Sequence, residues 1–166
     1  MSDTETEKEF ECAINTYGAI ITKICYYFST DPDEFKDLRQ EVLFYLWKGW
    51  LTFRKDSKLS TWIYRISFNT CVSFQRKEKK SKETVSIEDI INIADSPEPS
   101  RLDRYNKMHS LIQTLNYEDR VIILMWLDDK SYDEIAEIMG INRNTIAVRL
   151  KRIKEKLTKL SPYNKD

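Results

Sequence analysis

One stretch of the chain, SYDEIAEIMGINRNTIAVRLKRIKEKL (Ser131–Leu157), constrains the fold more than any other, because all of its local signals specify the same pair of helices. Ser131 with Glu134 three positions later makes a capping box, which satisfies backbone N–H groups that a helix start leaves unbonded. Ile135, Ala136 and Met139 of that first helix are expected to face inward. Gly140 stands where the helix must end, at a position that favours the left-handed conformation costing a residue with a Cβ roughly 1–2 kcal/mol. Asn142 is placed to cap a second helix, and Ile141 fills the corner between the two. Along that second helix Ile146, Leu150, Ile153 and Leu157 form a narrow apolar stripe. The whole reads as a helix-turn-helix. The preceding segment, Tyr117 to Leu127, turns Val121, Leu124 and Met125 inward and should brace it.

The rest of the chain is also expected to be helical, since 166 residues contain only 3 Gly and 4 Pro with which to make the many turns of a β-fold. Phe10 to Phe28 reads as a helix with Ile14, Tyr17, Ile21 and Ile24 on its apolar side. Asp33 to about Trp47 reads as a second, with Leu38, Val42, Tyr45 and Leu46 as its buried stripe. Asp37, Gln40, Glu41 and Phe44 make a further stripe on that helix, suited either to a partner helix or to water. After a loop over 51–59, a third helix from Ser60 to about Lys77 carries Ile63, Ile66, Thr70 and Phe74 on its core side. The segment Lys82 to Arg101 lacks sustained helical periodicity and contains Pro97-Glu98-Pro99. The expected architecture is therefore all-α: a helical bundle over residues 8–81, an acidic flexible linker over 82–103, and a helix-turn-helix domain over 104–161.

Charge is the next constraint. The chain is neutral overall but strongly segregated. Met1 to Trp47 has four basic and ten acidic residues, whereas Lys48 to Lys82 has ten basic and two acidic. Gly140 to Asp166 is again basic, eight against two. Clusters of Lys and Arg displace counterions from phosphates, so both zones are candidate polyanion contacts. Basic runs also serve as solvated helix faces, and neither zone alone decides the matter. In the first zone Trp62, Arg65, Asn69 and Arg76 recur near whole helical turns. An aromatic ring beside cations and an amide suits single-stranded or distorted DNA, where rings receive unstacked bases; plain core packing of Trp62 is the competing reading. In the second zone the face opposite the apolar stripe carries Asn144, Ala147, Val148, Lys151 and Arg152. Asn144 can pair with adenine, Ala147 and Val148 can touch a thymine methyl, and Lys151 can reach guanine acceptors. Arg143, Arg149 and Arg152 flank this surface at positions suited to phosphates. A cationic hairpin that packs only on protein is the alternative.

Other classes find less support. No stretch approaches the roughly 20 apolar residues of a membrane span, and the start, with Asp3, Glu5, Glu7, Glu9 and Glu11, is the opposite of a basic leader. The expectation is a cytoplasmic protein without direct membrane insertion. Cys12, Cys25 and Cys71 match neither a zinc site nor a disulfide framework and read as buried small hydrophobes. The single histidine, His109, has no catalytic arrangement around it. Clustered acids or a nucleophile beside a base are not found, so no enzymatic activity, cofactor or small-molecule substrate is expected.

Two segments together resemble the extracytoplasmic-function group of bacterial sigma factors, the smallest members of the sigma-70 family. DLRQEVLFYLW (Asp37 to Trp47) with STWIYRISFNTCVSFQRKEKK (Ser60 to Lys80) is similar to region two of that family. LNYEDRVIILMWLDDKSYDEIAEIMGINRNTIAVRLKRIKEKL (Leu115 to Leu157) is similar to its region four. The order is the family's, and the resemblance spans nearly the whole chain.

The resemblance implies a dissociable subunit that binds core RNA polymerase and directs it to promoter DNA. Asp37, Gln40, Glu41 and Phe44 would dock on the polymerase. The loop from Trp50 to Leu59 and the face with Lys58, Thr61, Trp62, Arg65, Asn69 and Arg76 would capture the minus-ten element and hold unpaired bases. Arg143, Asn144, Thr145, Ala147, Val148, Arg149, Lys151 and Arg152 would read the minus-thirty-five element. Family members are often held inactive by an anti-sigma factor, which makes such a protein a candidate partner. The chain departs from the family at Asn116, where a proline is common, and at Asp128, Asp129 and Lys130, where a glycine is frequent. A conventional regulator acting on duplex DNA without polymerase remains the rival reading.

Overall fold

A computed structural model of the chain describes residues 2–79 and 101–161, with side chains from 2–78 and 104–161. Its elements among these residues are seven α-helices: α1 (Asp3–Phe28), α2 (Pro32–Trp50), α3 (Leu59–Lys79), α4 (Arg101–Gln113), α5 (Tyr117–Leu127), α6 (Tyr132–Met139) and α7 (Arg143–Leu160). The chain divides into two compact units, Met1–Glu78 and Lys79–Asp166. α4 begins inside the span expected for the linker; positions 82–100 of that span lie outside the described residues.

In the first unit α1 begins seven residues before the expected start at Phe10. Asp3 and Glu5 occupy its first turn, where negative charge complements the helix dipole. The Phe10 ring meets Trp47 at 5.0 Å and Trp50 at 5.6 Å, and so ties this end of α1 to α2. The core is built from Ile21, Ile24, Cys25 and Phe28 of α1, Leu38, Val42 and Leu46 of α2, and Ile63, Tyr64, Phe68 and Cys71 of α3. Tyr45 is an exception to the expected stripe: it is exposed and packs edge-on against Phe44. The stripe centres on Val42, which leaves Tyr45 at its margin. Cys12 is likewise exposed, unlike Cys25 and Cys71.

On α3 the buried side is Tyr64, Ser67, Phe68 and Cys71 together with Ile63 and Thr70, while Ile66 and Phe74 are half-buried. The expected stripe was therefore rotated, because apolar residues lie nearly all round this helix and periodicity alone does not choose among them. The far end of α3 is fixed by a polar network. The Glu34 carboxylate, buried at the α1–α2 corner, accepts from Thr30 Oγ1 at 2.6 Å and from Gln75 Nε2, which also donates to the Phe28 carbonyl.

The second unit encloses α5, of which Arg120 to Met125 are all buried. α6 and α7 both pack on it, and α4 packs on α7. Ile112, Leu115, Ile135, Ile138, Ile146, Leu150 and Ile153 complete the core. On α6 the buried pair is Ile135 and Ile138, with Ala136 and Met139 only half-covered. Each connection follows the local chemistry. Asn116, Ser131 and Asn142 each accept a backbone N–H at the start of α5, α6 and α7, and Gly140 ends α6 at φ 68°. Asn116 thus supplies a cap at the position noted above, and in the turn of Asp128, Asp129 and Lys130 it is Asp129 that adopts φ 59°. Arg120 donates to the carbonyls of Gln113 and Leu115 at 3.0 and 3.2 Å, fixing the end of α4 against α5.

Candidate nucleic-acid interface

Three surfaces hold the residues singled out by the sequence. On α2, Asp37, Gln40, Glu41 and Phe44 line one shallow depression, joined there by Phe74 of α3. Asp37 and Gln40 are exposed and Glu41 is half-buried. Phe44 is 59 % exposed, an aromatic ring with apolar area to bury and little of this chain to bury it on.

The second surface runs along α3, opposite its buried side. Lys58, Arg65, Asn69 and Arg76 are exposed there. Thr61 differs: it is buried, because its position in the first turn of α3 falls on the core side of the helix, so its hydroxyl is not presented with the others. Trp62 is half-buried inside an aromatic cluster. Its ring lies 4.7 Å from Phe53 and 6.0 Å from Trp50, and Trp50 in turn meets Phe10. Phe53 is a ring neighbour that periodicity could not identify, since it sits in the loop before α3; its type and its closeness to Trp62 in the sequence were the only signals. Gly49 also lies against Trp62, where a Cβ would stand 3.0 Å from Trp62 Cζ2.

The third surface is α7. Ile146, Leu150 and Ile153 are buried and Leu157 is half-buried, so the stripe faces the core as expected. Asn144, Thr145, Val148, Lys151 and Arg152 are exposed and Ala147 is half-exposed. Val148 is 50 % exposed, an apolar group held out toward solvent in the middle of a polar face. The cations of this helix divide into two sets. Lys154 stacks over Trp126 at 3.9 Å and Lys156 Nζ donates to the Thr114 carbonyl at 3.4 Å, so both are drawn back onto the domain. Lys151 and Arg152 extend outward. Arg143 pairs with Asp133 at 3.0 Å, but both partners are largely exposed, and such pairs are worth little and exchange readily.

Arg149 is half-buried and, unlike Lys151 and Arg152, is held within the domain. Its guanidinium is engaged by Asp119 Oδ1 at 2.7 Å and Glu118 Oε2 at 3.1 Å, both at the start of α5. Burial opposes its charge, but the two carboxylates outweigh that and raise its pKa above the ordinary value.

Among the described residues no group of His, Cys, Asp and Glu is arranged to hold a metal ion, and no helix is long and apolar enough to cross a membrane. His109 is half-buried, with Nε2 3.4 Å from Gln113 Nε2.

Comparison with known proteins identifies the family. The model of Sigma-70 region 2 matches residues 13–81, and that of Sigma-70, region 4 matches residues 105–157. The chain is 29 % identical over 163 residues to the ECF RNA polymerase sigma factor SigW of Bacillus subtilis, covering 90 % of this chain and 87 % of that protein. It is 30 % identical over 130 residues to the RNA polymerase sigma factor YlaC of the same organism, covering 75 % of each. Among solved structures it is similar in fold to the sigma factor RpoE from Bartonella quintana, solved with the anti-sigma factor NepR, with a TM-score of 0.69 and 22 % identity over 95 % of this chain and 99 % of that one. CnrH, solved with the cytosolic domain of CnrY, gives the same TM-score at 16 % identity, covering 96 % of this chain and 91 % of that one. The chain belongs to the sigma-70 family of RNA polymerase sigma factors, in its extracytoplasmic-function group.

Proposed function

We infer that this sigma factor, which binds core RNA polymerase and directs promoter-specific initiation, divides that work among the three surfaces described. The observation that carries the reading is the presence of regions two and four in one chain, in order. The α2 depression with Asp37, Gln40, Glu41 and Phe44 is the polymerase-docking surface. Its exposed ring supplies an apolar anchor, and the flanking carboxylates and amide supply orientation.

Lys58, Arg65, Asn69 and Arg76 hold the backbone of the minus-ten strand, and the Trp62 edge of the aromatic cluster receives an unstacked base. Strand opening is driven by binding: base capture offsets the few kcal/mol that unstacking costs. Thr61 acts from beneath, as part of the support of α3. On α7, Asn144, Ala147, Val148 and Lys151 read base edges of the minus-thirty-five element, while Arg143, Thr145 and Arg152 hold its phosphates. No covalent step is required of any of these residues, and the protein acts without enzymatic activity, cofactor or small-molecule substrate, in the cytoplasm where the polymerase works. Since RpoE of B. quintana was solved with an anti-sigma factor, a protein of that class is a candidate inhibitor here as well.

The test is reconstitution. Purified chain and core polymerase are expected to copurify and to initiate at a specific promoter; failure of both would leave the reading without support.

A further inference from the structure

The hydrophobic attachment of α7 is strong but not directional. Ile146, Leu150 and Ile153 bury a narrow stripe, and apolar contact resists separation of the helices more than rotation of one of them about its axis. Rotation matters here. At a side-chain radius of about 5–6 Å, turning a helix by about 10° moves a side-chain tip by about 1 Å, enough to spoil the paired hydrogen bonds that distinguish one base from another.

Beside that stripe stands a directional contact. Arg149 Nε and Nη2 donate to Asp119 Oδ1 at 3.1 and 2.7 Å, and Nη2 donates to Glu118 Oε2 at 3.1 Å. The Asp119 carboxylate is itself aimed, because Asn116 Nδ2 donates to its other oxygen at 3.1 Å while the Asn116 Oδ1 accepts the Asp119 backbone N–H at 2.9 Å. One side chain therefore caps α5, orients the acid and, through it, holds the guanidinium of α7. The pair is about three-quarters covered, with Arg149 25 % and Asp119 24 % exposed, in contrast to the open Arg143–Asp133 pair on the same helix. Were Arg149 to turn onto a phosphate, it would leave the largely covered Asp119 without its cation and set two carboxylates beside the DNA backbone.

We propose that Arg149 is a positioning residue: the Asn116–Asp119–Arg149 chain, steadied by Glu118, fixes the rotation of α7 on α5 and so aims Asn144, Val148 and Lys151, while Arg149 itself contacts no phosphate. The role rests on the reading of α7 as the helix that meets the upstream promoter element.

Its test exploits opposite signs. The full chain in complex with core polymerase is titrated with a duplex that the wild-type complex has enriched from a randomised pool, and with the same duplex carrying a scrambled upstream block. Positioning predicts that Asp119→Asn and Arg149→Ala each weaken binding to the enriched duplex by about threefold to tenfold, and that the double variant is no worse than either alone. Discrimination against the scrambled duplex falls in all three, and the salt dependence of Arg149→Ala stays that of wild type. A phosphate contact predicts the reverse: Asp119→Asn tightens binding by releasing the cation, and Arg149→Ala lowers the salt slope by about 0.9. Either result overturns the proposal. Arg149→Lys guards against misfolding, since it keeps the charge but cannot make the planar fork. Loss of discrimination with a wild-type salt slope supports positioning, and wild-type discrimination overturns it. If the wild-type complex itself does not distinguish the two duplexes, the reading of α7 fails and this role fails with it.

Discussion

Gly49 of α2 lies flush against the ring of Trp62: a Cβ added to it would stand 3.0 Å from Trp62 Cζ2 and 3.1 Å from Ile66 Cδ1. The ring cannot retreat freely, because Phe53 and Trp50 flank it. A Gly→Ala change stabilises a helix interior by about 0.5–1 kcal/mol and counts for less in the last turn, where Gly49 stands. The two effects separate cleanly. Gly49→Ala is expected to leave thermal stability near that of the wild type while displacing Trp62, so permanganate reactivity of thymines in the promoter bubble should drop and core-polymerase binding should not. Trp62→Ala should impair opening in the same assay and spare binding at the upstream element.

A second expectation concerns the turn of the helix-turn-helix. Gly140 has open space around its Cα, yet its φ of 68° lies where a Cβ clashes with its own backbone. Gly140→Ala should therefore destabilise by about 1 kcal/mol through backbone strain alone. Denaturant unfolding measures this, and an unchanged midpoint would show that the turn has another accessible conformation.

The local features of this fold were legible because they are written in adjacent residues. Ser131, Gly140 and Asn142 mark their helix ends through groups two to four positions away, and the structure places each cap as expected. What sequence did not disclose depends on residues distant in the chain. The acidic partners of Arg149 are one such feature: only the packing of α5 brings Asp119, thirty positions earlier, within hydrogen-bond reach. The same holds for Trp62, whose neighbours Gly49 and Phe53 lie outside its helix, and for Thr61, whose burial depends on where α3 meets the bundle. The early start of α1 was hidden because its first turns are acidic and show no apolar periodicity.

The polar corner of the first unit gives a third expectation. Gln75 bridges the buried Glu34 carboxylate and the Phe28 carbonyl, joining α3 to the α1–α2 turn. Gln75→Leu removes the donor from both and should cost about 1–3 kcal/mol, since buried acceptors are left underbonded. Chemical denaturation reads the loss, and a neutral result would mean that water replaces the amide.

Phe44 provides a fourth. Its ring is more than half exposed and supports no core in this chain, so Phe44→Ala should leave stability within about 0.5 kcal/mol of wild type. On the docking role proposed for Phe44, the same change should weaken core-polymerase binding by about 2 kcal/mol, roughly thirtyfold. Titration of labelled core polymerase checks the two values together.

On the proposed function, one chain grips two separate promoter elements while bound to the polymerase. Sequencing of transcripts made by core polymerase and this protein from a randomised promoter library tests it most directly. Active templates are expected to share two blocks separated by a fixed spacer, and Asn144→Ala or Lys151→Ala to alter the upstream block and leave the downstream one intact. Transcripts independent of the protein, or templates sharing a single block that those substitutions do not touch, would contradict it.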